Sequence, residues 1–119
     1  MNIALVWASN DKTKYGNKIL HNLLSKWHLV FPVNKKEDFI ETLKSYKNLQ
    51  EIKNKIDIVN IVTPPKVTLE ILKEALTLNL KKVWIQPWAS DEEVIKFLKE
   101  NNFDYIVDSC IMIDFAKYN

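Results

Sequence analysis

Glycine is nearly missing from this chain: its 119 residues include one, Gly16, where an average usage of about 7% would give roughly eight. A complete GxGxxG fingerprint, a Walker loop and a GxSxG elbow are therefore excluded, because each needs several glycines at fixed offsets. Arginine is absent altogether, so all 17 basic residues are lysines and the forked guanidinium recognition of phosphate is unavailable. One cysteine, Cys110, rules out an internal disulfide and any cysteine-rich metal site. The two histidines, His21 and His28, have no metal-ligand spacing, so no metal is expected. No apolar run approaches the roughly 18 residues of a membrane span. No nucleophile–base pair or carboxylate pair stands out either, and the sequence predicts no catalytic residue.

What remains is ordinary in bulk composition. The chain is 47% hydrophobic and 27% charged, with a formal net charge of +2, which suits one globular domain over residues 1–119. That balance is too even for a nucleic-acid arm or a polybasic membrane anchor. The amino terminus reads as a strand and not as a charged segment followed by an apolar one, so a cytoplasmic location is expected. Cys110 itself reads as a small buried hydrophobe, with a mixed disulfide to a thiol cofactor as the alternative if it opens onto a cleft.

Short apolar runs alternate with helical patterns, which predicts βαβ units and a parallel sheet. Asn2–Val6 is apolar after its first residue, as a strand covered on both faces should be. Tyr15–Ser25 carries Ile19, Leu20, Leu23 and Leu24 at helical spacing. Leu29–Val33 is a strand whose Pro32 argues for a strand end or an edge and against a sheet centre. Lys35–Tyr46 supports two readings: a short strand around Leu43–Tyr46, or a helix over Lys36–Tyr46. A brief helix over Asn48–Ile52, a central strand Ile56–Val62 and a helix Val67–Leu78 closed by Asn79 follow. Val83–Ile85 is a strand, Asp91–Asn101 a helix opened by a Ser90–Glu93 capping box, and Tyr105–Val107 a last strand before the tail. The fold class is α/β: a Rossmann-like, doubly wound parallel sheet of about five strands in three layers.

Open α/β sheets bind ligands beyond the carboxyl ends of their strands. The segments arriving there are Trp7–Gly16, Val33–Lys36, Thr63–Pro65 and Gln86–Trp88. The first offers Ala8, Ser9, Lys12, Lys14, Tyr15 and Gly16 ahead of a helix, a setting that favours an anion. The second replaces the usual ribose-binding acid with Asn34-Lys35-Lys36, which suits a phosphorylated ribose such as that of coenzyme A or NADP. Thr63, Pro64 and Pro65 form a rigid wall poor in donors. Each feature has a plainer alternative: a solvated lysine loop, a surface charge pair, a strand stop.

The tryptophans are the anomaly. Trp7 follows the first strand, Trp27 follows the first helix and Trp88 follows Gln86-Pro87, all places where glycine is expected. A left-handed Trp27 would cost about 1–2 kcal/mol, and an indole at position 7 would fill space that a phosphate needs.

Taken together, Ala8-Ser9, Lys14-Tyr15-Gly16, Pro32-Val33-Asn34, Val59-Asn60-Ile61-Val62-Thr63-Pro64-Pro65, Trp84-Ile85-Gln86-Pro87 and Asp108-Ser109-Cys110 resemble the small stand-alone CoA-binding domain proteins. That family is similar to the nucleotide-binding domain of the succinyl-CoA synthetase α subunit. The resemblance implies coenzyme A or acyl-CoA as cofactor and binding without an assigned reaction. It places the pyrophosphate on the Ala8-Ser9 turn and its following loop, and Asn34 and Lys35 near the adenosine and its 3′-phosphate. It lines the adenine or pantetheine path with Thr63, Pro64 and Pro65, with Gln86 and Pro87 on the next loop. Where the family has glycine, Trp7, Trp27 and Trp88 depart from it, and Thr42 is a further, ordinary departure. Some bacterial lineages read UGA as glycine and others as tryptophan, so the three tryptophans are expected to be UGA-encoded glycines. The alternatives are an NADP-binding domain or redox sensor, and a degenerate interaction module without ligand. Protein partners are not predicted.

Overall fold

The computed structural model describes residues 1–114. Seven strands and four helices follow one another: β1 (Asn2–Val6), α1 (Tyr15–Ser25), β2 (Leu29–Val33), β3 (Phe39–Ile40), β4 (Leu43–Lys44), β5 (Ile58–Ile61), α2 (Pro65–Thr77), β6 (Lys82–Ile85), α3 (Glu92–Glu100), β7 (Asp104–Ile106) and α4 (Ile111–Asp114). Leu49–Glu51 and Pro87–Ala89 form single 3₁₀ turns. Five strands make one parallel sheet in the order β2-β1-β5-β6-β7, so the expected three-layer Rossmann-like architecture is what forms.

Alternation along the strands divides the core in two. Ala4, Val6, Val59, Ile61, Val83 and Ile85 face α2 and α3, where Leu72, Ala75, Val94 and Leu98 are buried. Ile3, Leu5, Ile58 and Trp84 face α1 and α4, against Ile19, Leu20, Leu23 and Ile111. The fully buried Trp84 indole donates to the Ser109 carbonyl at 2.7 Å, which ties the segment before α4 to the sheet. β2 is an edge strand, and its Pro32 stands opposite Leu5.

Several expected boundaries move. Lys36–Tyr46 is not a helix. The spacing of Phe39, Ile40 and Leu43 serves the small antiparallel β3–β4 hairpin instead, with Ile40 buried and Phe39 exposed in strand alternation. The short strand near Leu43–Tyr46 is limited to β4, and Tyr46 adds one bridge to Val33. The central strand runs only from Ile58 to Ile61; just before it, Asp57 pairs with Asn2 through its own N–H on the Asn2 carbonyl and its carboxylate on the Asn2 N–H, both at 2.7 Å. α2 opens two residues early, since proline fits a first helical turn that lacks partners for its N–H groups anyway. The capping box does not form: Asp91, not Ser90, accepts the Val94 N–H at 2.9 Å, and the Ser90 hydroxyl is buried without a partner.

α1, α2 and α3 end alike. Beyond each C-cap a left-handed residue donates to the carbonyl three residues back, and the next residue reaches five back, to the carbonyl before that. The pairs are Trp27 to Leu24 with His28 to Leu23, Asn79 to Leu76 with Leu80 to Ala75, and Asn102 to Lys99 with Phe103 to Leu98. These are three Schellman motifs. The left-handed φ values are 69° at Trp27, 58° at Asn79 and 56° at Asn102. Trp7 is left-handed too, at 69°. The glycine-like positions 7 and 27 are thus as expected, whereas Trp88 sits in a 3₁₀ turn without a positive φ. In the hairpin the left-handed residue is Glu41, at 54°, not its neighbour Thr42.

Candidate functional site

Strand order reverses between β1 and β5: the chain moves outward to β2, then returns to the other side of β1. At such a switch point the loops after the two strands splay apart and leave a crevice at their carboxyl ends. Here the loops are Trp7–Lys14 and Val62–Pro64. The crevice-facing loop after β6, Gln86–Ala89, joins them through one hydrogen bond, from the Trp88 Nε1 to the Val62 carbonyl at 3.0 Å.

The turn after β1 is shaped by its first residue and by Gly16. Trp7 leaves β1 with its N–H on the Val33 carbonyl at 2.9 Å, then takes its left-handed φ. The chain then passes so close to α1 that a Cβ on Gly16 would stand 2.2 Å from the Trp7 carbonyl oxygen. Both neighbours in that contact are backbone, so the one glycine of the chain sits where no side chain fits.

Side-chain amides hold the turn from behind. Asn34 Nδ2 donates to the Ala8 carbonyl at 2.9 Å, and its Oδ1 accepts the N–H groups of Lys36 and Glu37 at 2.8 and 3.1 Å. Asn17, 3% exposed, donates through Nδ2 to the Ser9 carbonyl at 2.8 Å and to Glu41 Oε2 at 2.9 Å. Asn10 ties the turn to the hairpin, accepting from the Glu41 N–H at 2.6 Å and donating to the Phe39 carbonyl at 2.9 Å. His21 Nε2 lies 3.9 Å from the other Glu41 oxygen. The loop then closes on Asp11, whose carboxylate accepts the Thr13 hydroxyl and N–H at 2.7 and 2.9 Å. Those two bonds hold the Asp11 carboxyl below its ordinary value.

The helices that open onto the crevice differ from the third in a telling way. α1 and α2, whose N-cap residues are Lys14 and Pro64, start without a side-chain cap and without an acid in the first turn. α3 has the Asp91 cap and two glutamates there. An uncapped, acid-free helix start leaves N–H donors and the positive end of the helix dipole for an outside anion.

The expected site residues fall as follows. Ala8 and Gly16 are buried backbone contributors, and Ser9 accepts the Asp11 N–H on its hydroxyl. Lys12, Lys14 and Lys35 are exposed. Asn34 lies at the turn, with both its amide oxygen and its amide nitrogen bonded to protein backbone. Thr63 is buried, its hydroxyl 2.7 Å from that of Thr68, and Pro64 and Pro65 lead into α2. Gln86 is also buried: it donates to Asn60 Oδ1 at 2.8 Å, while Asn60 Nδ2 and Gln86 Oε1 have no partner. Pro87 is exposed at the start of its 3₁₀ turn. Trp7 and Trp88 are 43% and 42% exposed, and Trp88 lies over Tyr15 with ring centroids 4.6 Å apart. Lys18 Nζ lies 5.4 Å from the Tyr15 ring centre. Asn10, Asn17 and Glu41 carry no motif signal. Only the hairpin's position over the turn brings them in.

One other feature is separate from this crevice. A cavity of about 440 Å³ lined by Met1, Lys55, Asp57, Lys81 and Lys82 opens at the opposite, amino-terminal edge of the sheet, where parallel sheets do not bind their ligands. Among the described residues no group of His, Cys, Asp and Glu could hold a metal ion, and no helix is long and apolar enough to cross a membrane.

Residues 1–116 match the family described as CoA binding domain. The chain is 45% identical to a conserved hypothetical protein from Pyrococcus furiosus, whose solved structure superposes with a TM-score of 0.92 over 95% of this chain and 97% of that one. A hypothetical protein from Pyrococcus horikoshii OT3 is 30% identical, with a TM-score of 0.89 over 97% of this chain and 81% of that one. Over 84 residues, 70% of this chain, it is 36% identical to the acetate–CoA ligase [ADP-forming] II subunit alpha of Pyrococcus furiosus, and it spans 18% of that subunit's length.

Proposed function

The chain belongs to the CoA binding domain family, and from that premise we propose that it binds coenzyme A or an acyl-CoA, without catalysing a reaction, in the crevice between the loops after β1 and β5. The observation that carries this reading is the turn after β1: a left-handed residue 7, a helix start pressed against its carbonyl at Gly16, and no cap or acid at that helix start. Such a turn presents backbone N–H groups to a diphosphate. Exposed Lys12, Lys14 and Lys35 add positive charge around it, and Pro64 and Pro65, which follow the buried Thr63, offer the apolar side that an adenine or a pantetheine arm needs. The ligase relative is named for a reaction of coenzyme A. The present chain corresponds to under a fifth of it, so binding alone is what is carried over.

A second reading, an interaction module without nucleotide, is favoured by one observation. The Trp88 ring reaches from the loop after β6 to Val62 and Tyr15, and so spans the mouth of the crevice.

Calorimetric titration separates them. Coenzyme A is titrated into the chain and into its Trp7→Gly/Trp27→Gly/Trp88→Gly version, with NADP as competitor. Binding by either protein, resistant to NADP, supports coenzyme A. Binding displaced by NADP would move the assignment to that nucleotide, and a folded glycine version that binds neither would favour the interaction module.

A further inference from the structure

Three consecutive carbonyls of the turn after β1 face the protein interior. The Trp7 oxygen lies against Gly16, the Ala8 oxygen accepts from Asn34 and the Ser9 oxygen accepts from Asn17. In a trans peptide the C=O and the N–H that follows it point to opposite sides of the chain. Holding the Ala8 oxygen therefore turns the Ser9 N–H outward, and holding the Ser9 oxygen does the same for the Asn10 N–H. Neither N–H donates to a described residue. Two outward donors in succession next to a left-handed residue form a concavity for an anion.

The orientation of both amides is settled by their partners. Asn34 Oδ1 receives two N–H groups, so its nitrogen must face the Ala8 carbonyl. Asn17 meets a carbonyl and a carboxylate on one side, where only its NH₂ avoids repulsion. The Ser9 carbonyl already calls for the NH₂, and Glu41 adds a charged second acceptor that holds it there; it does so from a left-handed φ of 54°, a conformation that a non-glycine residue holds only when its surroundings over-determine it. Its own N–H is fixed by Asn10.

We propose that Asn17, Asn34 and Glu41 are positioning residues for the anion site: the two amides aim the Ser9 and Asn10 N–H groups at the ligand's diphosphate, and Glu41 locks the Asn17 amide. The proposal rests on the coenzyme A reading. It assigns Glu41 a role opposite to the one its charge suggests, since a carboxylate beside an anion site should by itself weaken binding.

That opposition gives the test. Amide ¹H–¹⁵N spectra are recorded with inorganic pyrophosphate and with coenzyme A on the full chain, or on its glycine version if only that one binds, and affinities are measured in that same parent for Glu41→Gln, Glu41→Ala and Asn17→Leu. Glu41→Gln keeps an oxygen for Asn17 and should bind at least as well as the parent. Glu41→Ala and Asn17→Leu should each bind about tenfold more weakly, the scale of one lost charge-assisted hydrogen bond. In the parent, pyrophosphate should move the Ser9 and Asn10 amide protons downfield, and in Asn17→Leu that shift should vanish while the rest of the spectrum stays in place. If Glu41→Ala binds more tightly, Glu41 acts by charge alone and the proposal fails. It also fails if the parent binds coenzyme A without moving the two amides. A parent and a glycine version that bind neither ligand would instead overturn the functional reading. Should Asn17→Leu not fold, the Glu41 pair decides.

Discussion

Trp27→Gly should make this protein more stable, although it deletes the largest side chain there is. Trp27 is the left-handed residue closing α1, and its side chain is 93% exposed, so its removal forfeits little packing. A left-handed backbone costs a residue with a Cβ about 1–2 kcal/mol. Glycine removes that cost but gives the unfolded chain extra freedom, worth roughly 0.4–1 kcal/mol in the other direction. The net gain is about 0.5–1 kcal/mol, or several degrees in Tm for a domain of this size. Asn79 and Asn102 supply the control, because they occupy the same place in the same motif with similar φ, and asparagine tolerates that conformation. Asn79→Trp should therefore lose about what Trp27→Asn gains. Urea unfolding measures both, with an unchanged slope showing that the unfolded reference is the same. A lower midpoint for Trp27→Gly at constant slope would refute the reasoning, and would mean that the indole makes a stabilising contact which its exposure conceals.

Gly16→Ala should act in the opposite sense: helix propensity favours it by about 1 kcal/mol, but its Cβ would meet the Trp7 carbonyl at 2.2 Å. Backbone must move, so a net loss of about 2 kcal/mol is expected from overpacking, and a raised urea midpoint would refute this. Burial first, then the charges of the amino terminus and Lys26, hold His28 below its ordinary value of 6.5. The unfolded chain then takes up the proton first, so stability should fall as pH drops through the window just below 6.5 and level off once the folded histidine also titrates. His28→Gln should flatten urea midpoints across that window, and an unchanged profile would exclude His28 as the cause. If Trp7, Trp27 and Trp88 are glycines in the cell, their codons are UGA while that of Trp84 is UGG, and the native protein is lighter by three Trp-to-Gly replacements in intact-mass measurement. UGG at the three positions would end that explanation.

Much of the architecture was legible because parallel α/β units write themselves locally. Asn2–Val6, Tyr15–Ser25 and Leu29–Val33 have the bounds their apolar patterns imply, and Pro32 correctly marked an edge. Position 27 stood out from sequence as a left-handed helix end, and position 7 as a turn that wants glycine for close backbone approach; the left-handed φ at 7 came from the structure. The hairpin was illegible because Phe39, Ile40 and Leu43 satisfy a helical period as well as a strand alternation when only two residues lie in each strand. The capping box misled because Ser90 and Asp91 are adjacent caps of similar strength, and the chain direction after the 3₁₀ turn chose between them.

Outside the hairpin, the sequence by itself determined the sheet strands, the main helices and which loops would meet beyond the sheet, because periodicity and the right-handed crossover rule act along the chain. What only the tertiary structure decided is how the anion turn is held. Asn17, Asn34 and Glu41 come from a helix, a strand end and a hairpin tip; Asn34 stood out in the sequence as a ligand-side residue, whereas Asn17 and Glu41 carry no motif. Their partners are the backbone carbonyls and N–H groups of the turn and its flanking loops, and each other's side chains. Backbone groups are the same in every residue, so their pairing is invisible until the chain has folded and brought them within 3 Å of an amide.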